Sequence, residues 1–137
     1  METNAIWRLD AAATAAAIRA GRLNSRTAVE AALARMNAVN PPLNAVVNRF
    51  DAQALADADA ADRAQASGAL LGPLHGVPVT VKINVDLAGQ ASTNGLAPLQ
   101  NAVAAADSIP VANLKKAGAV IIGQTNVPAF SYRWFTS

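Results

Sequence analysis

Residues 72–84 read GPLHGVPVTVKIN. Gly72-Pro73 and Gly76 punctuate a turn. From there Val77, Val79, Val81 and Ile83 alternate with Pro78, Thr80 and Lys82. A period of two belongs to a strand, whose successive side chains point to opposite faces. The stretch predicts a strand over 77–83, its aliphatic residues on one face and Lys82 on the other.

Downstream, a loop carries Gly89 and Asn94-Gly95. Asp107 or Ser108 is positioned to cap a helix over 108–117, with Pro110 in its first turn. AVIIG at 119–123 is a short apolar run of the kind expected for a buried parallel strand. Strand, helix and strand make a β-α-β crossover with an extended first connection.

Upstream, the pattern is helical. Residues 10–20 read as an alanine-rich helix that Asp10 caps and Gly21 stops. A second helix runs from Ser25 to about Asn40. Val29, Leu33 and Met36 form its apolar stripe, and Pro41-Pro42 is expected to end it. AVVNRF at 45–50 reads as a short strand. Asp51 then caps a third helix over 52–66 whose Asp57, Asp59 and Asp62 read as a solvated acidic face, with Asp59 and Arg63 spaced to pair. The fold expectation is α/β: N-terminal helices leading into part of a mixed sheet flanked by helices. One partial domain spans 1–137, helical over about 1–68 and strand-helix-strand over about 70–130.

Composition narrows the function classes. The chain has 137 residues, 53% of them hydrophobic, with a net charge of +2. Alanine supplies much of that apolar fraction, so Val, Leu and Ile must fill the core. The bases are scattered, and no basic stripe with interleaved aromatics supports nucleic-acid binding. Lys115-Lys116 reads as a solvated helix end. Cysteine is absent and His75 is the single histidine, which excludes disulfides, thiolate metal sites and multi-histidine metal sites. METNAIWRLD does not read as a signal peptide. Residues 87–106 are uncharged but too polar for a membrane span. The expectation is a soluble cytoplasmic protein without cofactor or metal.

No G-x-S-x-G elbow and no phosphate loop is present. Lys82 stands open to three readings: a surface lysine on a sheet face, a snorkelling lysine over apolar neighbours, or a base. The last requires burial or nearby positive charge, because an ordinary lysine is almost wholly protonated at neutral pH. His75 reads as a hydrogen-bonded turn residue. Asn84 and Asp86 read as ordering the loop after the strand. Asn126 either starts the turn before Pro128 or bonds backbone near a site floor.

GPLHGVPVTVKIN resembles the stretch around the catalytic lysine of the amidase signature family. NPPLNAVVNRF at 40–50 and VANLKKAGAVIIGQTNVPAFS at 111–131 resemble flanking segments of that family, in order and spacing. The likeness covers nearly the whole chain, most clearly 70–131. It implies hydrolysis of a carboxamide by a Ser-cisSer-Lys triad, with Lys82 as the lysine and Asn84 and Asn126 as possible support. The partner implied is a small amide substrate. Where many members have Asp after the lysine, this chain has Ile83.

The family's two serines lie in a Gly/Ser-rich segment, and none of Ser25, Ser67, Ser92, Ser108, Ser131 or Ser137 has that context. The resemblance therefore implies a truncated amidase, inactive alone. The alternative is a non-catalytic α/β module that pairs or self-associates through an open sheet edge beside 119–123. Tyr132, Trp134 and Phe135 form an aromatic cluster, a pocket lining in a longer protein or an exposed end in this one.

Overall fold

A computed structural model describes residues 3–136, with side chains from Ile6 onward. Four helices and three strands follow a 3-10 turn at Thr3–Arg8: α1 (Ala11–Arg19), α2 (Ser25–Leu43), β1 (Val46–Arg49), α3 (Asp51–Ala66), β2 (Pro78–Lys82), α4 (Ile109–Lys116) and β3 (Val120–Thr125). The sheet order is β1-β3-β2, with β3 antiparallel to β1 and parallel to β2. The α/β class, the mixed sheet and the flanking helices agree with the sequence reading.

The apolar run at 120–122 works as a buried strand because both of its faces are covered. Val120 and Ile122 pack with Val29, Leu33 and Met36 of α2 and with Ala54 and Ala58 of α3. Ile121 packs on the other side with Val81, Leu87 and Val111. The stripe predicted on α2 is therefore its core face. A third cluster joins Ile18, Leu23 and Ala28 to Ile6 of the opening turn. Arg35 of α2 stacks over the Trp7 ring, its Cζ 4.2 Å from the centroid, and ties that turn to the helix.

β3 reaches its antiparallel neighbour closely at Gly123. A Cβ there would lie 2.6 Å from the carbonyl oxygen of Asn48, so only glycine fits beside the irregular register at Val46–Asn48. Among the described strands, β3 is paired along both edges, so the free edges belong to β1 and β2. Neither is a clean template for another chain. Asn40 bonds both the N–H and the C=O of Val46, at 2.8 and 2.9 Å. On β2, Pro78 lacks an N–H and Lys82 adds a charge.

Four local expectations are corrected. Pro41 and Pro42 do not end α2, which runs on to Leu43 and closes with Asn44 in the left-handed region. The carbonyls freed by the prolines belong to Asn37 and Ala38, both exposed, where water can take them. The turn is completed by Asn44 N donating to the Asn40 carbonyl at 2.7 Å. Secondly, Asp51 is the first residue of α3 and not its cap; Phe50 occupies the cap position without a side-chain bond. The Asp51 carboxylate is still well placed against the helix dipole, and it pairs with Arg49.

Thirdly, part of the acidic face of α3 is not simply solvated. Asp62 accepts from the backbone N–H groups of Ser25 and Arg26 at 2.6 and 3.1 Å. Asp59 pairs with Arg26 at 2.7 Å instead of with Arg63. Arg26 also holds Glu30, and Asn24 caps Thr27 N at 2.7 Å. The positive end of α2 is thus neutralised by a carboxylate from the neighbouring helix, a partner no local spacing rule reveals. Lastly, of the two cap candidates for α4 it is Ser108 that occupies the cap position, but it makes no side-chain cap bond. Asp107 instead accepts from Ala88 N and from Lys115, at 2.8 and 2.7 Å. By contrast, Asp10 caps α1 as predicted, accepting from Ala13 N at 2.7 Å.

No helix among the described residues is long and apolar enough to cross a membrane.

These contacts have two measurable consequences. Asp62→Ala leaves two helix-end donors unpaired and should lower unfolding free energy by about 2 kcal/mol, read from urea titration. Asp57→Ala, whose carboxylate meets only the exposed Gln53 amide, should stay within about 0.5 kcal/mol of the parent. The other is a response to acid. The hydrogen bond from Lys115, with help from Ala88 N, holds the Asp107 carboxyl below the usual carboxylate range. A depressed folded-state value stabilises the fold above the unfolded-state value near ~3.9. That contribution disappears as pH falls through the lower folded value. Lys115→Met should therefore lose stability at pH 7 and show a shallower loss below pH ~4.

Candidate functional site

β2 and β3 run parallel, and their carboxyl ends open on the same side. Lys82 is the last residue of β2 and lies opposite Thr125, the last residue of β3. In open α/β sheets this rim is where ligands are taken up. The alternation read from the sequence places Lys82 as expected: Val81 is buried between the sheet and α4, while Lys82 is exposed. Ile83 is also buried, and its N–H donates to the Thr125 carbonyl at 3.0 Å. The residue after the lysine therefore anchors the strand end and presents no polar group.

Two of the three predicted site residues come together, through a third that the sequence reading left unassigned. Lys82 Nζ donates to Ser131 Oγ at 3.5 Å, and Asn84 Nδ2 donates to the same oxygen at 3.3 Å. The Asn84 Oδ1 is buried and without a protein partner. Asn126 does not join this cluster through a hydrogen bond. Its N–H and Nδ2 donate to the carbonyls of Ala45 and Asn44 at 2.8 and 3.4 Å, and its Oδ1 accepts from Val127 N at 2.8 Å. Asn126 thus stitches the exit of β3 to the entry of β1. It also borders a cavity of about 450 Å³ with Ile83, Thr93 and Gly95, on the flank of the rim.

Ser131 sits where it does because of unusual backbone. Phe130 and Ser131 both take positive φ, 49° and 62°. Each such non-glycine residue costs on the order of 1 kcal/mol or more, and more for a bulky side chain. The surrounding bonds impose it. Phe130 N donates to the Asn94 carbonyl at 2.9 Å, and Ser131 N to that of Pro128 at 2.8 Å. Gly95, at φ 74°, presses on the same segment: a Cβ there would meet the Val127 carbonyl oxygen at 2.5 Å.

Other candidates resolve into structural roles. His75 Nε2 donates to the Ala61 carbonyl at 2.9 Å, fastening the turn before β2 to α3. Asp86 accepts from Ser92 Oγ, and its carbonyl accepts from Ser108 N at 2.9 Å. Tyr132, Trp134 and Phe135 are almost fully exposed, and Phe130 and Tyr132 stack obliquely with centroids 6.3 Å apart. Ser137 lies outside the described residues.

The site is thus a lysine and a serine brought together beside the carboxyl ends of two parallel strands in a mixed α/β sheet. The chain belongs to the amidase family, amidase signature type: the Amidase family model matches residues 27–137. It is 51% identical over 131 residues to an indoleacetamide hydrolase of Bradyrhizobium diazoefficiens, covering 96% of this chain and 25% of that protein. It is 37% identical over 131 residues to an acylamidase of Rhodococcus erythropolis, covering 96% of this chain and 27% of that protein. Among solved structures, a bacterial aryl acylamidase of the amidase signature family superposes with a TM-score of 0.86 at 29% identity, covering 93% of this chain and 26% of that chain. The chain thus spans about a quarter of the length of the relatives it matches.

Gly95→Ala should break the clamp that carries Ser131. The expected result is a loss of about 1–3 kcal/mol in unfolding free energy, with raised amide exchange at 127–132. Gly89→Ala is the control, with no atom in the way of its Cβ although its φ is also positive; it should leave exchange at 127–132 unchanged.

Proposed function

We propose that residues 1–137 supply the lysine of a Ser-cisSer-Lys amide-hydrolysing site, with both serines contributed by a segment outside these residues. The observation that carries this reading is the placement of Lys82, in a chain of the amidase family, at the rim where two parallel strands end. The amine takes the proton of the bridging serine. That serine in turn takes the proton of the attacking serine, which adds to the amide carbonyl. Backbone N–H groups steady the oxyanion. The protons then return along the same route to the leaving nitrogen, and water releases the acyl group as carboxylate. A lysine suits this relay because its compact amine can accept and return a proton. Asn84 supports the lysine through their shared contact, and Asn126 supports the flank of the site through backbone.

The substrate class proposed is a small carboxamide with an apolar acyl part, in line with the name of the indoleacetamide hydrolase relative. Residues 1–137 alone are proposed to be inactive. Any self-association is assigned to the exposed aromatics Tyr132, Trp134 and Phe135 and not to the sheet edges, which Asn40, Pro78 and Lys82 blunt.

The test is ammonia release from indole-3-acetamide. The 137-residue chain should give none above the blank. The same chain extended with the remaining three quarters or so of an amidase relative, its Gly/Ser-rich segment included, should hydrolyse it. Within that extended protein, Lys82→Ala should lower kcat by roughly 10²–10⁴. Turnover by the 137-residue chain, or full activity of the Lys82→Ala protein, would overturn the reading.

A further inference from the structure

Two donors from one strand end converge on a single hydroxyl oxygen. Ser131 Oγ lies 3.5 Å from Lys82 Nζ and 3.3 Å from Asn84 Nδ2. These residues are 49 and 47 positions apart in the chain from the serine, so the meeting is a product of the fold and not of local sequence. The backbone that delivers the hydroxyl is disfavoured at two successive positions, Phe130 and Ser131. It is held by the loop at Asn94-Gly95, itself left-handed at both residues. Disfavoured backbone held by its surroundings is a frequent mark of a working part.

We propose that Ser131 is a positioning residue for Lys82. Lys82 is exposed at a strand end, and a free lysine there would sweep through many rotamers. Ser131 Oγ has two lone pairs. One accepts from Asn84, which fixes the hydroxyl, and the other accepts from Lys82. The ammonium keeps two further donors for groups arriving at the rim, and the neutral amine keeps one along with its lone pair. The hydroxyl therefore pins Nζ at the carboxyl ends of β2 and β3 without occupying the lysine fully. This inference rests on the reading of Lys82 as the base of an amide-hydrolysing site, and it adds a residue that the lysine motif does not contain.

Competitive acylation of the 137-residue chain with acetic anhydride, followed by peptide mass spectrometry across pH 7–11, tests it without requiring turnover. Ser131→Ala and Ser131→Gly both remove the hydroxyl, but glycine fits the left-handed backbone and alanine does not. Both variants should raise the Lys82 labelling rate at pH 8 at least threefold. Lys115 and Lys116 in the same sample should be unchanged. If glycine behaves as wild type and only alanine differs, the backbone and not the hydroxyl is responsible, and the proposal fails. It fails equally if neither variant changes Lys82 labelling.

In the extended, active protein, Ser131→Gly should lower kcat about tenfold with KM within twofold. An unchanged kcat would overturn the positioning role. The two readings separate cleanly: a labelling shift alongside full activity of Lys82→Ala would sink the amidase assignment while leaving the Ser131–Lys82 contact intact.

Discussion

β3 is hydrogen-bonded along both edges and buried on both faces, and the rest of the structure depends on meeting those demands together. An apolar strand with an unpaired backbone would leave polar groups stranded in the core. β1 and β2 remove that cost on either side. The faces are then covered by helices of different character. Alanines on α3 let one helix lie close to the sheet, while Val111 and Leu114 on α4 fill the opposite side. Once β3 is satisfied, the direction of β2 is set by the crossover, and Lys82 arrives at the same rim as the turn that follows β3.

The legible parts of the sequence were those with a short period and an apolar signal. The alternation at 77–83 marked β2 and the side to which Lys82 points. The run at 119–123 marked β3, and the i, i+4, i+7 spacing of Val29, Leu33 and Met36 marked the core face of α2. Less legible were features whose partners come from distant sequence. Asp59 had a local candidate in Arg63, yet the arginine it meets is 33 residues away on another helix. Asn40 was read only as the approximate end of the second helix. It is instead a surrogate strand partner for Val46. The prolines at 41–42 carried a strong stop signal, but their lost bonds fall at exposed positions, so the helix tolerated them for one more turn.

The candidate site was half legible for the same reason. Lys82 and Asn84 lie in a motif with a strong strand signature. Ser131 has no such signature, because its neighbours are neither glycines nor acids and its left-handed backbone is imposed by a loop some 35 residues earlier. Nothing in a one-dimensional pattern announces a hydroxyl delivered by strain. Asn126 was read as either a turn residue or a brace near the floor. Its bonds make it a brace of β1 against β3, on the flank of the lysine cluster and outside it.

Ala54 and Ala58 on α3 are wholly buried against the sheet. With only methyl groups in the gap, the spacing between helix and sheet is set by backbone against side-chain stubs and has little slack to absorb added volume. The same helix carries Ala61, whose carbonyl grips His75 just ahead of β2, and Asp62, which grips the start of α2. α3 therefore acts as a lever with two loads. A bulkier residue at position 58 would tilt the helix as a unit, tugging the entry to the lysine strand and the end of α2 at once.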